Sequence, residues 1–199
     1  MSNIKWSCII PSIAYITEIP QTLIPDFTTL FNAHPEERPD VLIPYTDKVV
    51  KAKRWQQVYG HPYNFGRLSH APLDMSCIPS MSELVAYAFP NVPANEIGAV
   101  VNWYDTGEDT IGYHGDNLIG LVPGSDIFVY TFISPGEPAR DFLLKHLETG
   151  LVTKVKPWNG TLLAMRGNCQ TEYHHCIPVR KGKYGRRVSV TLRHFSIKK

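Results

Sequence analysis

The runs Gly98–Tyr104 (GAVVNWY), Ile127–Ile133 (IFVYTFI), Thr161–Met165 (TLLAM) and Arg187–Phe195 (RVSVTLRHF) decide the fold. Each is short, and all but TLLAM are rich in β-branched or aromatic residues. Between and beside them lie DTGEDT at 105–110, SPGEPAR at 134–140 and RGNCQ at 166–170, stretches full of turn formers. Apolar runs broken by Gly, Pro, Asp and Asn at such intervals predict a β core of the sandwich or jelly-roll kind.

Working outward, Asp26–Phe31 and Ser82–Phe89 read as helices, the second stopping before Pro90, which cannot continue a helical turn. Helices gathered ahead of the strands and packed outside the sheet give an α+β class. With 199 residues, 43% of them hydrophobic, the length prior favours one domain. We read a single domain over 1–199, with an N-terminal extension at 1–97 and a core at 98–199.

No stretch approaches the roughly 18 apolar residues of a membrane span, and the opening MSNIKWSCIIPSIAY lacks a signal-peptide cleavage site. A soluble, intracellular protein that makes no use of a membrane is expected, in cytoplasm or nucleus. Cys8, Cys77, Cys169 and Cys176 stand far apart, so neither a disulfide framework nor a cysteine-rich zinc site is suggested. The net charge of +2 is unevenly spread, since residues 173–199 hold eight Lys/Arg and none of the 18 acids. A second acid-free stretch, 48–70, mixes Lys48, Lys51, Lys53, Arg54 and Arg67 with Trp55, Tyr59, Tyr63 and Phe65. Cations beside aromatics suit a polyanion with stackable bases, although charge alone is better explained by solvated tails and loops.

Chemistry concentrates downstream. His114-Gly-Asp116 puts two ligand types two residues apart, so on a strand both face one way and can share an ion. A third ligand is available in Tyr173-His174-His175-Cys176-Ile177-Pro178, where alternation lets only one of the adjacent histidines turn to the metal. Two histidines and a carboxylate leave coordination positions open, as non-haem Fe(II) oxygenases require, with zinc as the second choice of metal. Arg187 and Arg193, six apart on one strand, emerge on one face and can clamp a dicarboxylate.

Together, NWYDTGEDTIGYHGD (102–116), residues 123–146, GTLLAMRGNCQTEYHHCIP (160–178) and RRVSVTLRHF (186–195) resemble the catalytic core of AlkB-like Fe(II)/2-oxoglutarate-dependent dioxygenases. The shared pattern is Asn-x-Tyr ahead of His-x-Asp, a distal histidine three residues before proline, and Arg-x5-Arg in a strand like VSVTLR. The resemblance implies a double-stranded β-helix (jelly-roll) core with flanking N-terminal helices and a nucleotide-recognition lid. It implies His114, Asp116 and His175 as catalytic metal ligands and Asn102, Tyr104, Arg187 and Arg193 as 2-oxoglutarate contacts. Fe(II), 2-oxoglutarate and O2 follow as cofactor and co-substrates.

Upstream, Arg54-Trp-Gln-Gln-Val-Tyr59-Gly60 and Tyr63-Asn-Phe65-Gly66 are similar to the family's lid, which implies Arg54, Tyr63 and Phe65 as substrate-binding residues. Tyr63 and Phe65, two apart on a strand, can instead cap the core. The implied activity is oxidative demethylation of N-alkylated bases in DNA or RNA, in the manner of nucleic-acid alkylation repair. Its products are formaldehyde, succinate and CO2, its partner is nucleic acid, and the chain acts as a monomer. The alternative is a 2-oxoglutarate-dependent hydroxylase or demethylase of a protein or small molecule. One departure concerns the base: Asn117 and Leu118 follow His-x-Asp where family members acting on methylated bases often carry acids.

Overall fold

The computed structural model describes residues 4–43, 46–63, 71–182 and 184–196. The first half supplies β1 (Ser7–Ile10), β2 (Ala14–Glu18), α1 (Phe27–Asn32), β3 (Asp40–Leu42), β4 (Val49–Lys51), β5 (Trp55–Gly60) and α2 (Met81–Ala88). The second supplies β6 (Ile97–Tyr104), β7 (Ile111–His114), β8 (Ile127–Ile133), β9 (Phe142–His146), β10 (Val152–Val155), β11 (Thr161–Met165), α3 (Cys169–Glu172), β12 (Tyr173–Ile177) and β13 (Arg187–His194). Among the described residues, a seven-stranded major sheet runs β1-β2-β11-β8-β13-β6-β5 and a four-stranded minor sheet runs β10-β9-β12-β7. Neighbouring strands in both are antiparallel. No helix here is long and apolar enough to cross a membrane.

The predicted α+β jelly-roll architecture is observed, with one redistribution. The N-terminal extension contributes more than helices, because β1, β2 and β5 are hydrogen-bonded into the major sheet. Their sequences hide this: SCII and AYITE are short, and β5 mixes glutamines with its apolar residues.

Of the central strands, β6, β8 and β11 read as nearly continuous apolar runs because both faces of the major sheet are covered, while β13 alternates. One face packs against the helices, with Trp103, Tyr130, Phe132, Val188, Val190 and Leu192 in one core with Leu30 of α1 and Leu84 of α2. Two polar tips pin the helices there: Trp103 Nε1 donates to the Leu30 carbonyl at 2.9 Å, and the Tyr130 hydroxyl to that of Leu84 at 2.7 Å. Asp26 caps α1 by accepting the Thr29 N–H at 2.8 Å, the short acidic side chain satisfying an otherwise orphaned donor.

The opposite face looks into the space between the sheets. Alternation sends Arg187, Ser189, Thr191 and Arg193 of β13 there, beside Asn102 and Tyr104 of β6. Register pairs Arg187 with Tyr104 and Ser189 with Asn102, while Gln56 of β5 lies opposite Asn102 on its other side. In the minor sheet His175 of β12 pairs directly with His114 of β7. The floor thus carries arginines and amides, and the roof carries imidazoles.

Arg140 ties this frame together from the SPGEPAR turn, which the sequence shows only as a turn. Its guanidinium, fully buried, donates to the carbonyls of Thr106 (2.6 Å), Asp109 (2.7 Å) and Pro178 (2.6 Å). It therefore joins the loop between β6 and β7 to the segment leaving β12, the two stretches that flank the histidine strands. Asp109 carries its own counter-charge, Arg38, at 3.0 Å. Replacing Arg140 with Leu strands three carbonyls in the interior, so Arg140→Leu is expected to lower unfolding free energy by at least about 3 kcal/mol. Urea denaturation checks this, and a loss under about 1 kcal/mol would show that Arg140 does not hold the loops.

Candidate active site

His114 ends β7, Asp116 follows one glycine later, and His175 sits mid-strand in β12. One nitrogen or oxygen from each lies within 4.8 Å of the others, an arrangement able to hold a metal ion. The Nε2 atoms of His114 and His175 each stand 3.9 Å from Asp116 Oδ1. With metal–ligand bonds of roughly 2.0–2.2 Å, one ion fits between atoms so spaced. His114 Nδ1 lies 2.8 Å from the Gly112 carbonyl oxygen, which assigns the ring proton to Nδ1 and leaves the Nε2 lone pair for a ligand role.

The electrostatics suit the same use. Burial, reinforced by the adjacent His114 ring, pushes the His175 pKa down to about 3. Burial likewise lowers that of His114, against the pull of Asp116. Both imidazoles are therefore neutral, as ligands must be. Burial works against the charge of Asp116, but the adjacent Arg193 guanidinium outweighs it and holds the carboxyl below its ordinary range.

Two side chains fix the turn bearing Asp116. Gln170 of α3 accepts the Asp116 N–H at 2.8 Å, and the Tyr63 hydroxyl accepts the Asn117 N–H at 2.9 Å. Gly115 is required by the close approach of α3, since a Cβ there would stand 2.9 Å from the Gln170 carbonyl oxygen. His174, by contrast, pairs with Lys145 of β9 and by strand alternation projects away from the His175 side.

The triad opens onto a cavity of about 210 Å³ that Asn102, Tyr104, Arg187 and Arg193 also line. Arg193 Nη2 stands 2.9 Å from Asp116 Oδ2, and its Cζ lies 4.2 Å from the Tyr63 ring centroid. Its buried Nε and Nη1 make no hydrogen bond among the described residues. Arg187 Nη2 donates to Thr131 Oγ1 at 3.1 Å, while its Nε is likewise unbonded. Burial brings the Arg187 pKa down to about 10, still cationic at neutral pH. Unsatisfied guanidinium N–H groups beside a small polar cavity are what a carboxylate ligand would satisfy.

Of the three residues expected at the lid, two are described, and Arg54 and Tyr63 both line this cavity. Arg54 is only 8% exposed, so it is not a surface cation available to phosphates. Its Nε donates to Asn102 Oδ1 at 2.7 Å and its Nη2 to Gln56 Oε1 at 2.8 Å. Residue 54 sits two before Gln56, which carries it onto the inner face. Phe65, the third lid residue, lies outside the described residues. Gln56 and Gln170 escaped sequence reading because an amide within an apolar run or a turn carries no motif.

Residues 33–193 match the family model of the 2OG-Fe(II) oxygenase superfamily. The chain is 33% identical over 102 residues to the Mus musculus DNA oxidative demethylase ALKBH2, covering 47% of this chain and 41% of that protein. Against the Homo sapiens DNA oxidative demethylase ALKBH2 the identity is 32% over 102 residues, covering 47% and 38%. The aligned region thus spans less than half the length of these curated relatives. The fold is similar to the solved structure of OsALKBH1, with a TM-score of 0.57 over 94% of this chain and 100% of that one at 13% identity. The family match covers most of the chain and includes the His-Asp-His cluster; the chain belongs to the 2OG-Fe(II) oxygenase superfamily.

Proposed function

We propose that this chain is an Fe(II)- and 2-oxoglutarate-dependent dioxygenase that oxidatively demethylates an N-alkylated base in DNA or RNA. In this reading residues 1–199 act as one catalytic domain. The observation that carries it is the meeting, in one cavity, of a His-Asp-His cluster with two buried arginines that retain unbonded N–H groups. His114, Asp116 and His175 would hold the iron, and Asn102, Tyr104, Arg187 and Arg193 the co-substrate. When bound, iron and 2-oxoglutarate supply the oxidation of an N-methyl group by O2, with succinate, CO2 and finally formaldehyde as products.

The protein's own contribution is position and charge. Arg187, anchored by Thr131, presents a fixed cation to a carboxylate, and Arg193 faces Asp116 from the same strand. Gln170 and Tyr63 keep the Asp116 turn in place. Support for a nucleic-acid substrate comes from the similarity to DNA oxidative demethylases and from the acid-free, aromatic-rich stretch 48–70, which supplies Arg54 and Tyr63 to the cavity. A base methylated on its pairing edge must leave the stack to enter such a site.

Anaerobic addition of Fe(II) and 2-oxoglutarate, read by the visible charge-transfer band, followed by O2 and mass spectrometry on methylated oligonucleotides, tests the proposal. His114→Ala, Asp116→Ala and His175→Ala should each abolish turnover, whereas His174→Ala should keep the band; equal loss at His174 overturns the ligand assignment. Arg187→Ala and Arg193→Ala should weaken 2-oxoglutarate binding by about 2–5 kcal/mol in calorimetry. Unchanged affinity in both removes the clamp.

The buried histidines also set a pH dependence in chelator-treated protein. The folded His175 pKa of about 3 lies below the ordinary 6.5, so between these values the unfolded chain binds more protons and stability rises with pH. Stability should therefore fall as pH drops from about 6.5 towards 4, by up to about 1.4 kcal/mol per unit for this one group. His175→Gln should flatten that slope in urea titrations at several pH values, and an unchanged slope would show that His175 is not buried neutral.

A further inference from the structure

The walls of the cavity carry more positive charge than the proposed chemistry uses. Among the described lining residues the permanently charged groups are Arg54, Arg187, Arg193 and Asp116. Asp116 is paired with Arg193. Bound Fe(II) and the 2-oxoglutarate dianion cancel each other; Arg187 serves the co-substrate, and Arg54 is left as positive charge that this chemistry does not use. Among the described residues Arg54 makes no ion pair: its bonds go to the Asn102 amide, the Gln56 amide and, at 3.4 Å, the Thr110 carbonyl, all neutral. The acid-free stretch 48–70 includes residues 64–70, so that segment brings no carboxylate wherever it lies. Immediately after Asp116 the cavity wall continues with Asn117, an amide and not an acid.

On this basis, and resting on the demethylase reading, we infer that the cavity selects a neutral, keto-bearing N-alkylated base over a cationic, amino-bearing one. Two independent physical reasons agree. A cationic base such as N1-methyladenine or N3-methylcytosine would be desolvated beside an uncompensated guanidinium, and like charges repel most in a low-dielectric site. Their neutral counterparts N1-methylguanine and N3-methylthymine escape that repulsion. Arg54 also has five N–H donors, three of them engaged, and the remainder can donate to a guanine or thymine carbonyl oxygen. An exocyclic amino group at the same place offers a donor to a donor.

The test uses one oligonucleotide sequence carrying, in turn, N1-methylguanine, N1-methyladenine, N3-methylthymine or N3-methylcytosine. Fluorescence anisotropy measures affinity for the anaerobic protein loaded with Fe(II) and 2-oxoglutarate, and admission of O2 gives single-turnover rates. The neutral member of each pair should bind and react about tenfold or more better than its cationic partner. Asn117→Asp, which keeps an oxygen able to accept the Ile119 N–H at 3.0 Å, should narrow or reverse that ratio. Arg54→Gln should do the same if it folds, and Asn117→Asp decides the matter if it does not. Equal or better handling of the cationic members, or a ratio unmoved by Asn117→Asp, overturns the inference while leaving the demethylase reading intact. Failure to turn over any of the four lesions sinks both.

Discussion

A carboxylate that is 4% exposed between two imidazoles needs a counter-charge, and Arg193 provides it at 2.9 Å. An unpaired charge in that setting would be protonated or would cost several kcal/mol in desolvation. The pair also joins the two sheets, since Asp116 follows β7 of the minor sheet and Arg193 belongs to β13 of the major one. Register makes the contact available. Slipping β13 by one residue would turn Arg187, Ser189, Thr191 and Arg193 towards the helices and bring valines and leucine into the cavity.

That dependence explains why the major sheet is two-faced without looking so in sequence. Its helix-side face is closed by Trp103, Tyr130 and their apolar neighbours, with two hydrogen bonds locking α1 and α2 in place. Its inner face carries arginines, serine, threonine and asparagine because it lines the cavity: Arg54 bonds Asn102 and Arg187 bonds Thr131, while further N–H groups of Arg187 and Arg193 are left for a ligand. Packing on one side holds the strands rigidly enough for polar groups on the other to be aimed. Arg140 and Gln170 extend the same service to the minor sheet by fixing the loops on either side of its histidines.

The division of labour in the cavity follows from these positions. Metal-ligating capacity comes from the minor sheet and the turn after it, the cations from β13, and a further cation, Arg54, from the entry to β5. Groups derived from separate parts of the chain can vary independently, which lets the oxidising centre stay constant while residues such as Arg54 and Asn117 set what may approach it.

Much was legible in the amino-acid sequence. The apolar runs 98–104, 127–133, 161–165 and 187–195 fall on β6, β8, β11 and β13, and the two helices lie within a residue or two of their expected bounds. Those features depend on local periodicity and turn formers, which short-range physics determines. The motif spacing likewise singled out His114, Asp116 and the two arginines, and the resemblance to AlkB-like dioxygenases implied His175 over His174; the structure brings all five to one cavity. What the sequence could not decide depends on contacts between distant segments. Incorporation of β1, β2 and β5 into the major sheet rests on edge pairing that their short patterns do not announce. The fully buried Arg140 looks like an ordinary turn residue until three carbonyls converge on it. Arg54 stands in the sequence as one of several cations in an acid-free stretch, given a substrate-binding role only by resemblance; tertiary packing alone places it in the cavity wall, where low dielectric makes its charge count.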